Sequence, residues 1–158
     1  MSDILNSSKA RVQLKHYTKD NYHPTTSVGF SLMRARNELQ IEMDAALKDL
    51  DITGQQMGVI LGMARGMAST PFELSKLLKI DTGLMTRMLD KLEKQNILTR
   101  SPSVDDRRSV NLQLTAKGQL IAKESSKIAP EVLNQKLKNF TSAEFIEFHR
   151  LLVKFLAT

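Results

Sequence analysis

The stretch from Asp81 to Gly118 constrains the fold more than any other, because its residue pattern changes twice. Up to about Lys94 the apolar residues recur every three or four positions, which is the period of an amphipathic helix. After Leu98, and again from Val110 to Leu114, the period is two, as in a β-strand. The pattern therefore predicts a helix, a β-hairpin and the start of another helix.

The predicted helix has one buried face and one polar face. Asp81 is suited to the N-cap position, where its carboxylate accepts hydrogen bonds from the first backbone N–H groups. The apolar face comprises Leu84, Met85, Met88, Leu89 and Leu92, and the polar face includes Thr82, Thr86, Arg87 and Lys91.

The connection between the two predicted strands, SPSVDDRRS, combines turn-forming residues with two aspartates and two arginines. Such a composition is typical of a solvated hairpin tip, here with a high density of charge. A helix followed by a basic-tipped hairpin is the arrangement of a winged helix.

The composition sets broad limits on fold and function. A chain of 158 residues with 41% hydrophobic content is long enough for one domain with its own core. The formal net charge of +6 and the pI near 9.7 are compatible with a polyanionic partner, although proteins that bind none often share such values. With no cysteine, the chain can form neither disulfides nor thiolate metal sites.

The sequence contains no apolar run approaching the roughly 20 residues that a membrane-spanning helix needs. Its N-terminus also lacks the continuous apolar core of a signal peptide. We therefore expect a cytoplasmic protein that does not associate with a membrane.

Residues 1–26 are mostly polar and predict an arm or a short helix. The basic residues of this segment would suit an extension that touches DNA or wraps around a second subunit. The favoured interpretation is a solvated tail. Residues 27–50 then predict a long amphipathic helix.

Two capping signals divide the segment that follows. Thr53 and Gln56 have the spacing of a capping box, as do Thr70 and Glu73. Gly66 is expected to end the first of these helices, and the second is separated from the Asp81 helix by only a few residues. Two short helices joined by a tight turn indicate a helix-turn-helix unit, whose second helix would read DNA.

The C-terminal part predicts two further amphipathic helices. The first starts after Thr115, and Pro130 is expected to kink or interrupt it. The second starts after Thr141, and Leu151, Leu152 and Phe155 belong to its apolar stripe. Terminal helices of this kind either fold back on their own domain or join two subunits in a homodimer, which is the more economical way to cover so much apolar surface.

Four segments carry a resemblance to a known family: Glu73-Leu74, DTGLMTRMLDKL at 81–92, DRRSV at 106–110 and LTAKG at 114–118. In this order they resemble the multiple antibiotic resistance regulator (MarR) family, from about Asp49 to the C-terminus. The longer N-terminal arm departs from it.

The resemblance implies a mainly α fold with a small β-hairpin wing, in which terminal helices make a dimer. The expected organisation is an arm (1–26) and a single domain (27–158), with a winged helix-turn-helix at about 53–115 and dimerisation helices at about 27–50 and 116–157. The expected function is a homodimeric repressor of a pseudo-palindromic operator, released by a small aromatic or phenolic ligand. No cofactor is expected.

The candidate DNA-binding residues are Thr82, Thr86, Arg87 and Lys91 on the helix and Asp106, Arg107 and Arg108 in the wing. Arginine has the geometry to read guanine in the major groove, and a wing arginine can reach a narrow minor groove while an aspartate braces it. Family resemblance also places Thr86 and Arg100 beside a small anionic ligand, although Arg100 would equally pair with an acidic neighbour or a phosphate.

The sequence speaks against one other class of function and leaves another open. The three histidines are scattered, and neither a catalytic triad, a metal-ligand spacing nor a glycine-rich phosphate loop occurs, so an enzyme is not expected. A helical module that binds another protein, with the wing as a solvated loop, remains the alternative to DNA binding.

Overall fold

The computed structural model describes residues 14–102 and 110–157. Across these residues the chain forms six α-helices and one antiparallel β-hairpin, as the sequence predicts. The elements are α1 (Val28–Ala46), α2 (Gly54–Ala64), α3 (Pro71–Leu78), α4 (Thr82–Lys94), β1 (Leu98–Pro102), β2 (Val110–Leu114), α5 (Ala116–Leu137) and α6 (Ser142–Leu156). Short 3-10 turns lie at Pro24–Thr26 and Lys48–Leu50.

The chain divides into two compact units, residues 1–37 and 38–158. In the first unit, the Tyr17 hydroxyl accepts a hydrogen bond of 2.9 Å from the Val28 N–H at the start of α1. The Tyr17 ring also meets the Tyr22 ring edge to face, with centroids 5.7 Å apart. The described part of the expected arm is therefore a loop tied to the first turn of α1, and residues 1–13 lie outside the described range.

The second unit is built around one hydrophobic core. Its fully buried apolar side chains come from the residue that follows α1, from α2 to α4, and from the start of β1 with the residue before it. Burial of large aliphatic side chains is the main stabilising contribution to a fold of this size. The most buried of them are Leu47, Val59, Ile60, Leu74, Met85, Leu89, Leu92, Ile97 and Leu98.

Both predicted capping boxes of the helix-turn-helix region are confirmed. The Thr53 hydroxyl accepts from the Gln56 N–H while the Gln56 side chain accepts from the Thr53 N–H, and Thr70 and Glu73 do the same for α3. Gly66 follows α2 with a φ of 66°, a conformation that favours glycine, and so confirms the expected end of that helix.

The hairpin contacts both the segment before α3 and the start of α5. Its register pairs Leu98 with Leu114 and Pro102 with Val110. The Leu112 N–H of β2 donates a 2.8 Å hydrogen bond to the carbonyl of Ser69, just before α3. A side chain at Gly118 would collide with the Ile97 carbonyl, so only glycine lets α5 start this close to β1.

Of the two outcomes expected at Pro130, a kink or an interruption, the interruption is wrong, because α5 continues without a break from Ala116 to Leu137. An internal proline removes one backbone hydrogen bond and disfavours a helix by about 3 kcal/mol. The flanking residues Ile128, Ala129 and Val132 pack against the core, and this packing outweighs the local preference. Among the described residues, none of the helices has the length and apolar character needed to cross a membrane.

Candidate nucleic-acid interface

Helix α4 separates its residues into two faces as the sequence predicts. Met85, Met88, Leu89 and Leu92 are buried, whereas Leu84 is only partly buried. The Asp81 carboxylate accepts a 2.9 Å hydrogen bond from the Leu84 N–H and so caps the helix. All four candidate DNA-binding residues of the helix, Thr82, Thr86, Arg87 and Lys91, are exposed.

The polar face of α4 offers hydrogen-bonding groups of two kinds. The Thr86 hydroxyl donates to the Thr82 carbonyl at 2.8 Å, so its proton is engaged and its oxygen can still accept a hydrogen bond. A guanidinium nitrogen of Arg87 lies beside Gly83, 3.7 Å from where a glycine Cβ would be. A Cβ at Gly83 would press on Oδ1 of Asp81 at 3.2 Å, the atom that caps the helix, and would make only ordinary contact with Arg87.

Arg100 of β1 connects the wing to this helix. Its Nη1 donates to Oδ1 of Asp90 at 2.7 Å and to Oε2 of Glu93 at 3.0 Å. The Arg100 side chain is 27% exposed, so the pairs are partly shielded from water. Of the two roles expected for Arg100, this geometry corresponds to pairing with acidic neighbours. Thr86 lies one turn before Asp90 on the same side of α4.

Sequence reasoning did not single out Asp90 and Glu93. The signal in the sequence was the three-residue spacing of these two residues. It places both carboxylates on one side of a helix, where a single cation reaches both. Asp106, Arg107 and Arg108 fall within 103–109, outside the described residues, and the described strands end at the Pro102–Val110 pair.

The carboxyl group of Glu73, at the start of α3, has a lowered pKa. Hydrogen bonds from the Ser69 backbone N–H and hydroxyl, and then from Thr70, hold the pKa of Glu73 below its ordinary value of 4.5. Across residues 14–102 and 110–157, no group of three or more His, Asp or Glu side chains is placed to hold a metal ion.

The arrangement of helix, turn, helix and wing has counterparts among known proteins. The MarR family model matches residues 59–110, which include α3, α4 and β1 and end at the first residue of β2. The multiple antibiotic resistance protein MarR of Escherichia coli K12 is 31% identical over 140 residues, covering 88% of this chain and 97% of that protein. This chain belongs to the MarR family of transcriptional regulators.

Structural similarity agrees with the sequence match. The crystal structure of a cysteine-to-serine mutant of E. coli MarR complexed with operator DNA superposes with a TM-score of 0.74 at 32% identity, covering 81% of this chain and 92% of that one. The organic hydroperoxide resistance transcriptional regulator of Bacillus subtilis is 30% identical and aligns with 66% of this chain and 71% of its own length. The activity of the MarR family is thus regulation of transcription and not catalysis.

One further surface of this MarR-family chain stands apart from the helix-turn-helix. All residues of α6 are described and none is buried, although its N-terminus carries a complete capping box between Thr141 and Glu144. Leu151 and Phe155 are 47% and 54% exposed, and Leu152 is partly buried. The apolar stripe of α6 is therefore largely open to solvent in the single chain.

Proposed function

We propose that this chain is a homodimeric repressor that acts in the cytoplasm on a pseudo-palindromic operator, with the polar face of α4 in the major groove. The observation that carries the proposal is the division of α4 into a buried apolar face and an exposed face with Thr82, Thr86, Arg87 and Lys91. Arg87 can read guanine through two parallel hydrogen bonds, and the threonines can meet a base edge, a thymine methyl or a phosphate.

The wing is proposed to meet the minor groove beside the same half-site. Arg107 and Arg108 supply the cationic groups, and Asp106 braces one of them in the D-x-R pattern. A guanidinium is favoured where the minor groove is narrow, because the negative potential there is strongest.

The dimer is proposed to form through the terminal regions, with Leu151, Leu152 and Phe155 at the centre of the contact. Exposed apolar stripes of this kind are rare on monomers and usually mark an interface. A two-fold dimer would present two copies of α4 to the two halves of a palindromic site.

A small aromatic acid or phenol is the proposed effector, bound beside Thr86 and Arg100. The Arg100 guanidinium carries five N–H donors, and its contacts with Asp90 and Glu93 both use Nη1. A ligand carboxylate would bind the remaining donors or displace an aspartate or glutamate, and would then compete with DNA for the face of α4. If millimolar salicylate changes neither thermal stability nor operator affinity, this proposal fails for that class of compound.

A gel-shift titration on the DNA upstream of the protein's own gene tests the DNA-binding proposal. A dimeric repressor should retard this duplex in preference to a scrambled one, with affinity that falls steeply as salt increases. A protein-interaction module would retard neither duplex, and that result would refute the proposal. Selection of bound genomic fragments would then define the operator.

A further inference from the structure

The described part of the wing is buried on one face. Leu98 at its base and Leu112 in the middle of β2 are buried, and the Leu112 N–H donates a hydrogen bond to the Ser69 carbonyl. Thr99 and Ser101, on the opposite face of β1, and Pro102 at its end are exposed. A two-stranded hairpin of this kind is marginally stable by itself, so its direction depends on contacts with neighbouring elements.

Arg100 makes such a contact halfway along the wing. Successive side chains of a strand point to opposite faces, so Arg100 lies on the same face of β1 as buried Leu98, and its partner across the hairpin is Leu112. From there its guanidinium holds Asp90 and Glu93 on α4. We name Arg100, Asp90 and Glu93 the wing clamp.

We infer that the wing clamp is a positioning device for DNA recognition: it sets the direction of the wing relative to α4 so that both fit one half-site together. The inference rests on the proposed function, since it assumes that α4 and the wing bind the same duplex. Arg100 then acts through the elements that it joins.

The charges of the clamp favour positioning over simple attraction to DNA. Asp90 and Glu93 place two carboxylates on the helix that is proposed to approach a polyanion, and Arg100 balances only one of them. The trio therefore carries a net negative charge, which opposes binding to phosphates. Partly exposed ion pairs also contribute little to folding stability, so a stabilising role accounts poorly for the trio.

Two variants break the clamp with opposite changes of charge. Arg100→Gln removes one positive charge, and Asp90→Ala with Glu93→Ala removes two negative charges while retaining good helix-forming residues. The measurement is the ratio of affinities for the operator and for a scrambled duplex. If the clamp positions the wing, both variants should lower this ratio by about tenfold, a typical size for coupling between two sites.

The variant that combines all three substitutions should lower the ratio no further, because the clamp is already broken in either parent. A matched control is Lys127→Gln, which breaks an exposed ion pair with Glu124 on α5 and should leave the ratio unchanged. Circular dichroism checks that each variant is folded.

Two outcomes would overturn the inference. If Asp90→Ala with Glu93→Ala keeps or raises the operator preference, the carboxylates matter only through their charge. If the three substitutions act additively, the residues do not work as a unit. The same ratio measured on the wild-type protein separates these outcomes from a failure of the proposed function. If the wild type does not prefer the operator over the scrambled duplex, the proposed function itself is refuted.

Discussion

Helices α4 and α6 are both amphipathic and both capped by side chains, yet they differ in what covers their apolar faces. In α4, Met85, Met88, Leu89 and Leu92 are buried by the same chain. In α6, by contrast, Leu151 and Phe155 stay about half exposed. A helical period shows that a face needs a partner, but it does not show which chain supplies that partner.

The contrast also explains the division of labour that we propose. Because its own chain completes the apolar face of α4, the polar face of this helix is left for DNA. Because α6 exposes its apolar face, we assign this helix to the contact between subunits.

The largest expected effect is from charge placed in the apolar stripe of α6. Replacing Leu151 and Phe155 with Asp would bury two carboxylates in the proposed interface, and each would cost several kcal/mol there. We expect monomers in sedimentation, and operator binding weakened by more than about a hundredfold as the two half-sites cease to be bound together.

Lys154→Asp is the matched control for this double substitution, since it adds a carboxylate to the polar side of the same helix. It should remain dimeric. If the Leu151 and Phe155 variant also sedimented as a dimer, the assignment of α6 would be wrong.

The next effect concerns the polar face of α4. Arg87→Ala should weaken operator binding by roughly 1–3 kcal/mol and relax the preference at particular base pairs, since it removes a bidentate contact with guanine. Lys94→Ala, at the C-terminal end of α4, is the control that removes a charge from the same helix. Equal losses on the operator and on scrambled duplexes would show that Arg87 contacts only phosphates.

Removal of a wing arginine should lower DNA affinity less than Arg87→Ala does, and by similar amounts on different duplexes. Removal of Arg107 or Arg108 should weaken the operator and unrelated DNA alike and lower the salt slope by about one, because the contact is mostly electrostatic. Asp106→Ala tests the brace: it should weaken binding although it removes a negative charge, and tighter binding would exclude that role. Unchanged binding in all wing variants would exclude the wing as a DNA contact.

The smallest expected effect is on the pH dependence of stability. The pKa of Glu73 is lowered by hydrogen bonds from Ser69 and Thr70. The ionised carboxylate therefore stabilises the fold fully above pH 4.5, and this stabilisation is lost as the pH falls through the lower pKa of the folded state. Glu73→Gln should therefore show a smaller decrease in the thermal midpoint than the wild type between about pH 6 and about pH 3.5. Parallel decreases in both proteins would show that the Glu73 carboxylate does not contribute in this way.

The elements set by local chemistry were predictable from the sequence. The Thr53 and Thr70 capping boxes, the Asp81 cap and the two faces of α4 depend on residues a few positions apart, and all are present. Features set by tertiary contacts were not predictable in the same way. Core packing carries α5 through Pro130, and the partners of Arg100 depend on how a strand lies against a helix.

The division of labour between α4 and α6 is tested most directly by comparing full operators with half-sites. The wild type should bind the full site far more tightly than one half, because a dimer engages both halves at once. The Leu151→Asp and Phe155→Asp variant should bind a half-site as the wild type does and gain nothing from the second half. If it lost half-site binding as well while remaining folded, or kept the full-site advantage, the separate roles of the two helices would be contradicted.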